Sequence, residues 1–197
     1  DETALFPASE YNSSTLKSIK IELINLLLRS KVDINHRNRY GDTTLIFAIK
    51  RHDTRIIDLL LDKDADINIK NNNGETALMV ASNRSNREIV NLLLDRKANI
   101  KENNNNGETA LMVASKRGHI EIVNLLLEKN ASLTINFMNQ DRKSAIDIAY
   151  ENGYHRLAHR LREVRNIRNT RITNLFIPYI PTDVPDINRL IQEYTMP

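Results

Sequence analysis

Gly74-Glu75-Thr76-Ala77-Leu78-Met79-Val80-Ala81-Ser82 recurs letter for letter as Gly107 to Ser115, 33 residues later. Glu88-Ile89-Val90-Asn91-Leu92-Leu93-Leu94 recurs at the same interval as Glu121 to Leu127. Self-similarity at a fixed period of this length marks a stack of like units, none of which can bury its apolar face alone. Within the third unit Ile89, Val90, Leu93 and Leu94 have the spacing of a broad apolar helical stripe, which Leu92 widens. Asn73-Gly74 and Asn106-Gly107 read as hairpin-turn pairs, because both residues tolerate positive φ.

The register runs through most of the chain. Thr43, Thr76 and Thr109 sit 33 apart. Ser144 takes the same place after 35, which places two inserted residues around Phe137 to Asp141. Thr3 lies 40 before Thr43, with the extra seven residues near Glu10 to Ser18. Five units follow, at 1–40, 41–73, 74–106, 107–141 and 142–164, each helix, turn, helix, finger. The expected fold is an all-α repeat solenoid with β-hairpin fingers. The chain opens inside a first-helix motif, so the reading expects it to begin within a longer protein. The fifth unit keeps one apolar face (Leu157, Ala158, Leu161, Val164) and turns Arg160 and Arg162 outward, the pattern of a capping repeat.

The unit resembles the ankyrin repeat, whose core reads Gly-x-Thr-Pro-Leu-His-x-Ala-Ala, then Gly-His, then a helix ending Leu-Leu-Leu. Gly107-Glu108-Thr109-Ala110-Leu111-Met112-Val113-Ala114-Ser115, Gly118-His119 and Leu125-Leu126-Leu127 carry the likeness, which covers residues 1 to about 164. The family's Pro is replaced by Thr44, Ala77 and Ala110, and its His by Ile46, Met79 and Met112. The resemblance implies a protein-binding surface made of finger tips and the exposed face of the first helices. By position it holds Arg39, Tyr40, Asp42, Phe47, Lys50 and Arg51 in the second unit. In the third it holds Glu75, Val80 and Arg84, and in the fourth Glu108, Val113, Lys116 and Arg117. An apolar ladder of Phe47, Val80, Val113 and Ile148 is then expected beside a basic ladder of Lys50-Arg51, Arg84 and Lys116-Arg117, the alternative for Val80 and Val113 being that they pack against the hairpins. Tyr40 and Phe47 are the expected anchors, because aromatics and arginines dominate binding hot spots. Differences between the near-identical units, Asn83 against Lys116 and Ser85 against Gly118, are read as tuning of specificity.

Composition narrows the chemistry. Cysteine is absent, which rules out disulfides and thiol chemistry and fits the cytoplasm or another reducing compartment. No apolar run is long enough to cross a bilayer. No phosphate-cradling loop, Gly-x-Ser-x-Gly or His-Glu-x-x-His motif occurs, so no catalytic residue, cofactor or metal is expected. His155 and His159, four apart, read as a solvated pair, and His119 as closing the turn between its two helices. The abundant asparagine is read as a mark of genome composition, silent about chemistry. Net charge is +3, with six arginines and one glutamate from His155 to Arg171. That run is a solvated outer face or a dock for an acidic partner, and without interleaved aromatics it speaks against nucleic acid.

Beyond Val164 the repeat is expected to end. Residues 165–197 read as a basic connector, Asn166 to Thr173, an extended apolar stretch, Leu175 to Pro181, and a short amphipathic helix. Ile180-Pro181-Thr182-Asp183-Val184 is similar to the opening of an F-box, Leu-Pro-x-Glu-Leu. Ile180, Pro181, Val184, Ile187, Leu190, Ile191 and Tyr194 would form its apolar face. The alternative is that this segment folds back on the stack. Three functions follow: a protein-interaction module, with an acidic partner favoured by the basic rungs; an adaptor or host-directed effector, acting in host cytosol, that recruits a Skp1-type adaptor of ubiquitin ligases; and a regulatory domain of a larger enzyme or channel.

Overall fold

The structure is a computed structural model that describes residue 22 and residues 24–26, 32–129 and 131–176. Helix pairs follow one another along the stack. The first is α1 (Thr44–Lys50) with α2 (Thr54–Asp62), the second α3 (Ala77–Asn83) with α4 (Arg87–Asp95). The third is α5 (Ala110–Arg117) with α6 (Ile120–Glu128), and the last α7 (Ala145–Glu151) with α8 (His155–Phe176).

The residues that set the sequence register are helix caps. Thr43, Thr76, Thr109 and Ser144 hold extended backbone, and each side-chain oxygen accepts a hydrogen bond from the amide three residues on. This satisfies one of the donors that every helix start leaves orphaned. Asp53 and Asn86 cap α2 and α4 in the same way.

The first helices pack side by side along the stack. Ala48, Ala81, Ala114 and Ala149 occupy one repeated place and are essentially fully buried, which lets these helices approach closely. Ile57, Val90 and Val123, with Leu60, Leu93 and Leu126, form the buried rows of the second helices. Ile24 joins the same core. At the far end Leu157, Ala158 and Leu161 face inward while Arg160 and Arg162 face solvent.

Several expectations need correction. α8 does not stop near Val164 but runs on through Phe176, so Asn166 to Thr173 is helix, not connector, and Leu175 and Phe176 are not extended. Antiparallel pairing in the fingers is confined, among the described residues, to isolated bridges at Arg37–Thr43 and Asn103–Thr109. In the finger turns only the glycine has positive φ, 75° at Gly74 and 76° at Gly107; Asn73 and Asn106 do not. Each turn closes three residues back, from Gly74 N–H to the Asn71 carbonyl at 2.9 Å and from Gly107 N–H to Asn104 at 2.9 Å. In the fourth unit the turn register is restored from Asn139 onward, with Arg142 in the glycine's place. The turn at Ile135-Asn136 already stands 35 residues after that at Ile100-Lys101, so the two inserted residues lie upstream of Ile135, in the 3-10 turn Ala131–Thr134. The seven extra residues near Glu10 to Ser18 fall outside the described residues.

Candidate functional site: a groove along the finger loops

The wall of the groove is built from asparagine. Asn38, Asn71, Asn104 and Asn139 hold one position in successive units. Each side-chain oxygen accepts two backbone amides: Tyr40 and Asp42 for Asn38, Asn73 and Glu75 for Asn71. Asn104 takes Asn106 and Glu108, and Asn139 takes Asp141 and Lys143. A side-chain amide that satisfies the loop's own backbone shapes the finger with no strand ladder.

A second asparagine row joins neighbouring fingers. Asn72 donates its side-chain amide to the Arg39 carbonyl at 3.0 Å, and Asn105 donates its own to the Asn72 carbonyl at 2.9 Å. Gln140, one methylene longer, reaches the Asn105 carbonyl at 2.7 Å. Backbone amides run parallel to these, from Asn72 to Tyr40, Asn105 to Asn73 and Gln140 to Asn106. The reading of asparagine as chemically silent is overturned by these bonds. The signal that could have found them was the spacing of Asn38, Asn71, Asn104 and Asn139, which matches that of the caps.

Between these loops and the first helices lie two open clefts. The larger, about 700 Å³, brings together Arg39, Tyr40, Asp42, Phe47, Lys50, Arg51 and Arg84. The smaller, about 270 Å³, brings together Glu75, Val113, Lys116 and Arg117 with Glu108. Arg39 stands over the Tyr40 ring at 4.8 Å and Arg51 over the Phe47 ring at 5.8 Å. Such pairing holds both aromatics at the cleft wall.

The expected exposed apolar ladder is not there. Val80 and Ile148 are 4% exposed and Val113 7%, so they pack beneath the loops; Phe47 alone is half-buried. The acids also turn inward. Asp42 is 3% exposed and Glu108 7%, and each is held by the asparagine of a finger turn, Asn71 or Asn104. Glu75 is half-buried on Asn71. Lys50 lies 2.6 Å from Asp42 and Lys116 2.9 Å from Glu108, so the lysines of the expected basic ladder are bound back to the fold. In the fifth unit the same pair is inverted, Lys143 standing 2.6 Å from Glu151. The hydrogen bond and charge of Glu151 push the Lys143 ammonium pKa up.

Of the two differences read as tuning, one is packing. A Cβ on Gly118 would fall 2.3 Å from the Tyr154 ring, so the ring would have to move to admit a side chain there. His119 does not close its own turn; its Nε2 lies 3.1 Å from the Asn83 carbonyl of the preceding unit, so it joins units. His159 faces Glu163 at 3.6 Å, and His155 packs edge-on against Tyr150. Among the described residues no group of three potential ligands could hold a metal ion. No helix there is long and apolar enough to cross a membrane.

The repeated caps, stacked helix pairs and finger loops agree with an independent comparison. The family model for ankyrin repeats (3 copies) matches residues 12–104 and 96–171. The chain belongs to the ankyrin repeat family. Repeats of this family are generally protein-interaction modules. No curated protein matches this ankyrin chain. Ile180, Pro181, Val184, Ile187, Leu190, Ile191 and Tyr194, which carry the F-box likeness, lie outside the described residues.

Proposed function

We propose that this ankyrin stack is a non-enzymatic interaction module that binds a segment of a partner protein in the groove between finger loops and first helices. What supports the reading most is the larger cleft. It gathers Tyr40 and Phe47 beside Arg39, Arg51 and Arg84 within a frame of hydrogen-bonded loops. Aromatic and arginine groups on a pre-formed support are the side chains that carry most binding energy, since little entropy is lost in ordering them. Phe47→Ala and Arg84→Ala should each weaken partner binding by about 1 kcal/mol or more.

The test is an affinity capture from lysate, read by quantitative mass spectrometry, with three baits besides the parent chain. Phe47→Ala and Arg84→Ala should lose the captured proteins, and Arg87→Ala, on the exposed side of α4, should keep them. Equal capture by all baits would remove the groove from the account.

A further inference from the structure

The groove's cations are unequal. Lys50 and Lys116 are engaged by Asp42 and Glu108, whereas the next residue in each unit is an arginine at the end of a first helix. Arg51, Arg84 and Arg117 are exposed and share one structural position. Arg51 lies over Phe47, Arg117 Nε donates to the neutral side-chain oxygen of Asn83 at 3.0 Å, and Arg84 has no side-chain hydrogen bond or ion pair among the described residues. In the fifth unit the row ends, because Asn152 holds the arginine's place and Glu151 the lysine's. The larger cleft sets four cations against one carboxylate, Asp42, itself neutralised; the smaller sets Lys116 and Arg117 against Glu75 and Glu108.

We infer that Arg51, Arg84 and Arg117 read an extended acidic segment whose carboxylates recur at every third residue. The inference rests on the groove reading above and adds the chemistry and spacing of the occupant. Its ground is a match of pitch. Neighbouring packed helices lie about 8–10 Å apart, so the backbone positions that carry these arginines step along the groove by that interval. A polyproline-type chain has three residues per turn and rises about 9 Å per turn, which places every third side chain on one edge at the same interval. A β-strand repeats its face about every 7 Å and drifts out of step within two rungs. Guanidinium groups suit the task, since their planar forks match carboxylates in two-bond geometry. The extended backbone needs no internal bonds and loses little freedom when bound.

Three fluorescein-labelled peptides test this by anisotropy against residues 1–197. One has four Glu-Pro-Pro triplets; one has the same composition with its glutamates in a block; one has Lys-Pro-Pro triplets. The spaced acidic peptide should bind roughly tenfold tighter than the block and lose affinity as salt rises from about 50 to 300 mM. Arg84→Gln should weaken it roughly fivefold with unchanged thermal melting, because that side chain supports nothing in the fold. Replacing Arg51, Arg84 and Arg117 together by glutamate should turn the preference to the lysine peptide. Equal binding of spaced and block peptides sinks the spacing but leaves the groove reading to its own capture experiment. Failure of the spaced acidic peptide to bind, or binding indifferent to the arginines, sinks the inference altogether.

Discussion

Replacing Asn71 by alanine should be among the most damaging polar substitutions in the protein. Asn71 is 5% exposed. Its oxygen accepts the amides of Asn73 at 3.0 Å and Glu75 at 2.9 Å, and its amide donates to Asp42 at 3.1 Å and Glu75 at 3.0 Å. A neutral hydrogen bond contributes about 1 kcal/mol net and one to a charged group about 1.5–3 kcal/mol. Two of the four bonds face carboxylates, one of them the buried Asp42. With partial replacement by water the loss is about 3–4 kcal/mol, a large fraction of the stability of a small domain. Asn72→Ala, at an exposed neighbour with the single inter-unit carbonyl bond and a contact from Arg37, should lose about 1 kcal/mol. Asn71→Asp sharpens the test. It keeps the acceptor but points a third carboxylate at Asp42 and Glu75, so the new acid has a folded pKa above its unfolded value. Its penalty is then full at neutral pH and fades as pH falls through that raised pKa. Urea unfolding followed by circular dichroism measures each variant. If Asn71→Ala is no worse than Asn72→Ala, or Asn71→Asp shows no pH-dependent recovery relative to the parent, the asparagine frame is not what holds the loops.

Two further predictions concern backbone and charge. Gly74→Ala should cost about 2 kcal/mol or more, because φ is 75° and the new Cβ would meet Asn105 backbone N at 2.6 Å; Gly153→Ala, at φ 82° with nothing within 4 Å, should cost only the strain of about 1–2 kcal/mol, as paired melting curves will show. Burial raises the Asp147 carboxyl, but the hydrogen bonds from Ser144 with the charges of Arg165 and Arg162 outweigh it and hold it below the ordinary carboxylate range. A depressed folded pKa gives stability that is present above the unfolded value, near 4, and lost as pH falls through the folded one. Ser144→Ala should therefore destabilise by about 1 kcal/mol at neutral pH, and its deficit should shrink below about pH 4 in acid titrations of both proteins.

The stack, its register and its core rows were legible because each unit repeats the same spacing of threonine, alanine and leucine. The groove residues were legible as positions, and Tyr40, Phe47, Arg51 and Arg84 do meet in one cleft. What the repeat could not reveal was which way a side chain turns. Lys50 and Arg51 are adjacent and alike in charge, yet one is bound to Asp42 and the other lies over Phe47. That choice depends on a carboxylate eight residues earlier and on Asn71, at the far end of the same unit. Val80 and Val113 were read as exposed because first-helix position alone does not report how deeply the finger loops cover them. The length of α8 escaped because its apolar stripe fades after Val164, although no glycine or proline stands before Pro178 to stop a helix that has already been nucleated.

The inter-finger bonds have a further consequence, for how such an array changes length. Asn72 and Asn105 each donate a side-chain amide to the finger before and offer a carbonyl to the finger after, so the junction between them joins like halves. One more copy of residues 74–106, inserted after Asn106, would meet both neighbouring fingers with the bonds they already make. Deleting a copy would leave no unmatched amide. The far end does not share this freedom. There Gln140 replaces asparagine, and Arg142 takes the turn position at φ 60°, where Gly41, Gly74 and Gly107 lie against the next finger. Growth by duplication is chemically open in the middle of the stack and closed at the last finger.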